Sequence, residues 1–383
     1  MKLIDFLSSS MKSEDLDFIA IIVTPWHALG AQAFVEGLQA KSGKNLKGLV
    51  IIEEHARDGF VLEDKDVLMG TGATVRTHCF KARGQEPFFQ RIAYHGNILK
   101  GLLSIQQGQE TKKRIYIISP LRVSLEGISC FAGPSIARKY FPIFVRIDEG
   151  IGMCFSPKVF LLESLPKTGI YVKDVLARLK SCVPRVISKL AKNILVGKNA
   201  FIERRLFYGT NPGLRVAKDV ADSYLKLFRE KKQEDILGGG EKSILLLTQP
   251  FVKAGIVGQE QVKEVFEKVV EAAKSTGKKV AIKVHPRDDR WLYAGMGNVT
   301  LIDVDCPVEE IMGKGVDAVV GFTSTSLINA KILFGIKSIS VCEFLLNKSE
   351  SEYFRRSSGE FKRMTENFIE FPRDAEELRN VLK

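Results

Sequence analysis

The sequence predicts an α/β protein built from two doubly wound, Rossmann-like domains, and three observations carry that reading. Short apolar strand patterns alternate with helical periods in the order expected of parallel βαβ units. The series is broken by Gly238-Gly239-Gly240 and then begins again. With 383 residues, the chain exceeds the usual size of one domain, and a hydrophobic fraction of 45% is ample for two cores. The expected division is an N-terminal domain over 1–238 and a C-terminal domain over 239–383.

In the first series the strand patterns are FIAIIV, LKGLVII, ATVRTHCF, KRIYIIS and FPIFVRI, with helical periods at 28–39 and 88–103. The second runs SILLLT, KKVAIKV, NVTLIDV, DAVVGF and KSISVC, with helical patterns at 259–274, 308–312 and 326–334. A last helical pattern at 374–382 fits either as closure of the second domain or as a return to the first. Between the two series, residues 171–198 are helical and basic. Lys173, Arg178, Lys180, Arg185, Lys189, Lys192 and Lys198 stand against Asp174 alone, and Pro184 should divide the stretch into two shorter helices. Such a face suits an anionic membrane, a polyanion groove or ordinary solvated packing, and all three stay open.

Composition narrows the class. The longest apolar run, FIAIIV, is far too short to span a membrane, and the start is unlike a secretory signal, so the expectation is a cytoplasmic protein. Six scattered cysteines without a Cys-x-x-Cys pair or Cys/His cluster argue against zinc and disulfides and for free thiols. A net charge of +12 implies an acidic partner (nucleic acid, anionic membrane face or acidic polymer) unless it serves solubility alone.

Three polar motifs follow apolar strands: Asp148-Glu149-Gly150 after FPIFVRI, His285-Pro286 after KKVAIKV, and Ser324-Thr325-Ser326 after DAVVGFT. Ligands bind at the carboxyl ends of strands in open α/β sheets, so these motifs read as parts of one polar cleft. A carboxylate in a glycine-rich turn is placed for general-base work. His285, with Lys283 and Arg287 nearby, suits a phosphate oxygen and a departing phosphate. The serine and threonine hydroxyls precede a helix, whose N-terminus is an anion site even without a metal. Each motif also has an ordinary structural use: turn composition, a strand-end histidine and helix capping. Thr248-Gln249-Pro250 ends the first strand of the second domain, and Pro307 with Glu309 opens the pattern at 308–312. A carboxylate such as Glu309 accepts from a vicinal diol, though first-turn acids also simply answer the helix dipole. Neither a Walker lysine motif nor Gly-x-Gly-x-x-Gly follows a strand, which counts against P-loop and dinucleotide readings.

Taken in order, Asp148-Glu149-Gly150, His285-Pro286 and Ser324-Thr325-Ser326, supported by Thr248-Gln249-Pro250 and by Pro307 with Glu309, resemble bacterial sialyltransferases of the two-domain GT-B type, and among them the capsule polysialyltransferases. The resemblance implies a GT-B fold with two Rossmann-like domains facing a central cleft. It also implies an inverting, metal-independent transfer of sialic acid from CMP-sialic acid to the non-reducing end of a (poly)sialic acid chain for capsule synthesis, with no cofactor. On it, Glu149 or Asp148 is the base, His285 serves the departing CMP, and Ser324, Thr325 and Ser326 bind its phosphate. Pro286 shapes that subsite, Glu309 holds the ribose and Gln249 contacts the donor. An acidic glycan acceptor would use basic residues of the first domain, for which Lys81, Arg83, Arg91, Arg114, Lys192, Arg204 and Arg205 are the candidates. The same resemblance places the enzyme in the cytoplasm or peripherally on the inner membrane face, alongside capsule machinery.

Other readings remain. One is a lipooligosaccharide sialyltransferase capping a galactose-ended acceptor, and another is a GT-B enzyme or epimerase using a UDP-sugar. A third is a nonenzymatic nucleic-acid or membrane binder acting through 171–198, although no recognised nucleic-acid module is present.

Overall fold

The structure is a computed structural model, and it describes residues 15–22, 24–54, 73–81, 113–120, 140–147, 202–205, 222, 225–226, 242–302, 306–312, 315–346 and 349–383. The described strands form two all-parallel sheets. Each sheet belongs to its own compact unit. The expected boundary at 238/239 and the basic stretch 171–198 lie outside the described residues.

The first sheet contains β1 (Phe18–Ile22), β2 (Lys47–Glu54), β3 (Thr74–Lys81), β4 (Lys113–Pro120), β5 (Tyr140–Ile147) and β6 (Ile202–Arg205) in the order β3-β2-β1-β4-β5-β6. That is the doubly wound order, reversing direction between β1 and β4. The central strand β1 is buried along its whole length, which is why it reads as an unbroken apolar run. Gly48 on β2 faces the Phe18 ring so closely that a Cβ there would lie 2.0 Å from Cζ. After β1 comes α1 (Pro25–Ser42), longer than the expected 28–39. Its limits were written in the chain. Thr24 caps the first turn through the His27 N–H, Pro25 occupies a position that needs no N–H, and Gly43 ends the helix at φ 63°.

The second sheet contains β7 (Ser243–Leu247), β8 (Lys279–Lys283), β9 (Val299–Ile302), β10 (Val316–Gly321) and β11 (Lys337–Ser340), ordered β11-β10-β7-β8-β9. Here the reversal lies between β7 and β10. Around this sheet run α2 (Gln259–Ser275), α3 (Thr325–Phe334), α4 (Glu343–Leu346), α5 (Glu352–Thr365) and α6 (Ala375–Leu382). The buried face of α2, Val262, Val265, Phe266, Val269, Ala272 and Ala273, follows helical spacing and packs into one core with Ile244, Leu246, Phe322 and Phe354. Phe322 stacks on Phe266 with ring centroids 5.4 Å apart, and Phe251 and Phe354 complete the aromatic centre.

Three details differ from sequence expectation. The pattern at 308–312 becomes a single 3-10 turn, Val308–Glu310, because Pro307 starts it and too few residues follow to nucleate an α-helix. Helix α5 carries a polar Ser357-Ser358-Gly359 centre that hides its period, yet Phe354 and Phe361 lie seven apart on one buried face and Ser351 caps it. The edge strand β6 is only four residues long and three of the four are charged, which masks strand character. Helix α6 packs on α2 through Leu378 and Leu382, and the Lys337 ammonium donates to its Val381 carbonyl at 2.6 Å.

Candidate active site

The second sheet aligns its polar strand ends through its strand order. β7 lies between β8 and β10, so the carboxyl ends of three adjacent strands deliver Thr248-Gln249, His285 and Thr323-Ser324 side by side at the topological switch point.

Gln249 ties the two sides of that switch together. Its Oε1 accepts from the Thr323 N–H at 2.8 Å, and its Nε2 donates to Thr323 Oγ1 at 3.5 Å. The side chain that the sequence assigned to the donor is therefore engaged with the protein, holding the loop that leads into α3. Thr248 does the same for the histidine. Its Oγ1 accepts from the His285 N–H at 2.9 Å, while its own N–H donates to the Lys283 carbonyl.

His285 begins a tight turn in which Asp288 N–H donates to its carbonyl at 2.8 Å. The Arg287 N–H donates to His285 Nδ1 at 3.1 Å, so in the neutral ring the proton resides on Nε2. Burial, followed by the charges of Arg287 and Lys283, lowers its pKa from 6.5 to about 4. The imidazole is thus neutral at physiological pH, with an N–H donor on Nε2. Pro286 is exposed and occupies the first corner of the turn, where a fixed φ is an advantage.

The hydroxyl motif caps α3. Ser324 is the N-cap, its Oγ accepting from the Ser326 N–H at 3.2 Å, which leaves the hydroxyl proton to donate outward. Ser326 turns elsewhere, donating to Glu309 Oε1 at 3.0 Å, and Asn329 Nδ2 donates to the same oxygen at 2.8 Å. Glu309 is only 5% exposed, and burial raises its pKa against the opposing effect of these donors. Glu309, Ser326 and Asn329 therefore form one network beneath the first turn of α3. Thr325 is half-buried on that turn.

Sequence reasoning passed over two members of the site. Asp288 is 7% exposed, and its Oδ2 accepts from the Tyr293 hydroxyl at 2.7 Å. Tyr293 is 2% exposed and stacks on Phe266 at 5.5 Å. The signal was a second acid and an aromatic close behind the histidine, in a segment that reads as a polar loop.

Asp148, Glu149, Arg83, Arg91 and Lys192 lie outside the described residues. In sequence, Asp148 directly follows the last residue of β5. Lys81 ends β3 and Arg204 and Arg205 end β6, the two opposite edges of the first sheet, separated by about 24 Å at the usual strand spacing. Arg114 lies near the amino end of β4 and is exposed, about 20 Å along the strand from its carboxyl end. These four are therefore not one cluster.

Among the described residues, no group of three or more His, Cys, Asp or Glu could hold a metal ion, and no helix is long and apolar enough to cross a membrane. Cys306 and Cys342 are free thiols, and burial raises the Cys342 pKa to about 11.

Comparison with solved structures places the architecture. The chain is similar to the UDP-GlcNAc 2-epimerase of Methanocaldococcus jannaschii, at 12% identity and a TM-score of 0.50, covering 95% of this chain and 91% of that one. At that identity the likeness is one of fold. It is also similar to the GT-B domain of a sialyltransferase from Photobacterium damselae, at 10% identity and a TM-score of 0.44, covering 92% and 99%. The fold is the α/β architecture of the GT-B class, with two Rossmann-like domains, as the two parallel sheets and the likeness to the epimerase show. No curated protein matches by sequence. The model of the family "Alpha-2,8-polysialyltransferase (POLYST)" matches residues 143–343, just over half of the chain, a span that takes in all three motifs. This chain therefore belongs to the alpha-2,8-polysialyltransferase family and is a glycosyltransferase of the sialyltransferase kind.

Proposed function

We propose that the enzyme transfers sialic acid from CMP-sialic acid, with inversion and without a metal, to the non-reducing end of an oligo- or polysialic acid chain in capsule synthesis. The observation that supports this most is the placement of His285, whose Nδ1 accepts from the Arg287 N–H, and of the Ser324-capped terminus of α3 at the carboxyl ends of β8 and β10, the two strands that flank β7 at the switch point of the second sheet. The acceptor hydroxyl gives its proton to Glu149, with Asp148 as the neighbouring carboxylate, and its oxygen bonds to the anomeric carbon. The bond from that carbon to the phosphate oxygen breaks, and the electron pair leaves with CMP.

His285 and the α3 terminus receive that charge. With Nδ1 held by the Arg287 N–H, the ring's Nε2–H donates a hydrogen bond to the departing phosphate and stabilises the charge that develops there. Ser324 and Thr325 contribute hydroxyl donors. Glu309 and Ser326 support the ribose side from beneath, Pro286 shapes the turn, and Gln249 holds Thr323 in place for the donor. This chemistry asks for no cofactor, since imidazole and helix-terminal donors do the work a cation would otherwise do.

On the acceptor side, the +12 charge suits a polymer bearing one carboxylate per sugar. Lys81, Arg204 and Arg205, at carboxyl ends of the first sheet, with Arg83, Arg91 and Lys192, are the groups we assign to it. Arg114, near the opposite end of its strand, is left out. A peripheral position on the cytoplasmic membrane face fits an enzyme that extends a surface glycan.

The test is elongation of a labelled oligosialic acid primer by purified protein with CMP-sialic acid and EDTA, beside Glu149→Gln and His285→Ala. Elongation that both variants lose upholds the reading. Absence of elongation with the sialic primer, together with thermal protection by UDP rather than CMP, would overturn it.

A further inference from the structure

The turn that carries His285 is anchored from below by a buried pair, Asp288 and Tyr293. Three separate contacts hold the histidine. Its N–H donates to Thr248 Oγ1, its carbonyl accepts from the Asp288 N–H, and its Nδ1 accepts from the Arg287 N–H. Two of these three partners, Arg287 and Asp288, lie on the turn itself. Their positions depend on what holds the turn down, and its buried tie is the Asp288 carboxylate, beside the more exposed Lys253–Asp289 ion pair at 3.3 Å. The Asp288 Oδ2 accepts from the Tyr293 hydroxyl at 2.7 Å, and its Oδ1 accepts from the Asp289 N–H at 3.1 Å. Tyr293 in turn is fixed by stacking on Phe266, a residue of the α2 core face.

We propose that Tyr293, acting through Asp288, is a positioning residue for His285: its buried hydroxyl sets the turn over 285–289 and thereby the tautomer and direction of the imidazole. A buried carboxylate that loses the Tyr293 donor seeks solvent or another partner. Because the turn is short, that movement reaches the Arg287 N–H and releases Nδ1. The ring then exchanges between tautomers, and its Nε2 proton is no longer held toward one place. The consequence for catalysis rests on the role proposed above for His285, whereas the consequence for the ring itself does not.

The experiment therefore reads both. In ¹⁵N-labelled protein the His285 ring is assigned by its loss in His285→Ala, a tractable task with five histidines in the chain. Wild type should show one protonated and one unprotonated ring nitrogen, widely separated in shift. Tyr293→Phe, which keeps the stacked ring and removes only the hydroxyl, should bring the two shifts together. Its kcat for sialyl transfer should fall on the order of ten- to a hundredfold with KM for CMP-sialic acid little changed. Asp288→Asn, which retains a side-chain oxygen for Tyr293, should keep the separated shifts, and Asp288→Ala should lose them; this pair also serves if Tyr293→Phe does not fold. Separated shifts in both Tyr293→Phe and Asp288→Ala would overturn the positioning role. Full transfer activity in His285→Ala would instead strike at the proposed reaction and leave the tautomer result standing.

Discussion

Lowering the pH should unfold this protein partly through His285, and the size of the effect follows from its surroundings. The unfolded chain binds a proton at that ring near its ordinary 6.5, whereas the folded chain resists until about 4, because burial and the charges of Arg287 and Lys283 disfavour the imidazolium. Between those values the unfolded state holds more protons than the native state, so stability rises with pH. The contribution is fully present above 6.5 and is lost as pH falls toward 4, amounting to ~3 kcal/mol over the whole window. Urea unfolding of wild type and His285→Gln, followed at half-unit steps from pH 7.5 to 4, isolates this contribution, since acid effects elsewhere are common to both. The two stability curves should converge or cross as pH drops, with wild type losing ~3 kcal/mol more than the variant. Parallel curves would refute the reasoning, for they would mean that the ring titrates alike in the folded and unfolded chains.

Glu309 should show the opposite pH sense. Its raised pKa makes folding less favourable as pH climbs from the ordinary carboxylate range through the raised value, so Glu309→Gln should raise the melting temperature at pH 8 and not at pH 4. Gln249→Ala removes the bridge between the ends of β7 and β10 and should cost about 1–2 kcal/mol in urea unfolding. Phe322→Ala, at the centre of the aromatic core, should cost about 3–5 kcal/mol by the same measurement. Gly48→Ala places a methyl against the Phe18 ring and should destabilise the first sheet by about 1–3 kcal/mol, which hydrogen exchange at β1 and β2 amides would detect.

Much of the local architecture was legible because it is encoded locally. All ten strand patterns read from the chain correspond to strands, and the central β1 and β7, buried along their whole length, read as apolar runs for that reason. Thr24, Pro25 and Gly43 mark the ends of α1, as Ser324 and Gly335 mark those of α3. What escaped was weak in pattern: β6 is short and charged, and α5 is polar at its middle. The positions of Gln249, His285 and Ser324 at strand ends were legible in the sequence, but the internal bonds of Gln249 to Thr323 and of Ser326 to Glu309 were not, because their partners lie on other elements.

Periodicity by itself determined where most of the strands lie, which face of α2 is apolar, and that His285 and Ser324 follow strand ends. The resemblance to the family came from the three motifs in order, not from periodicity. The order of strands across the sheet was decided by tertiary structure alone, because a buried apolar strand is complementary to any other and its sequence does not name its neighbour. Only when β7 settles between β8 and β10 do Gln249 and Thr323, 74 positions apart, come within hydrogen-bonding distance. The same holds for Asp288 and Tyr293, whose pairing required the Phe266 face of α2 to close over them and exclude the water that would otherwise have satisfied both.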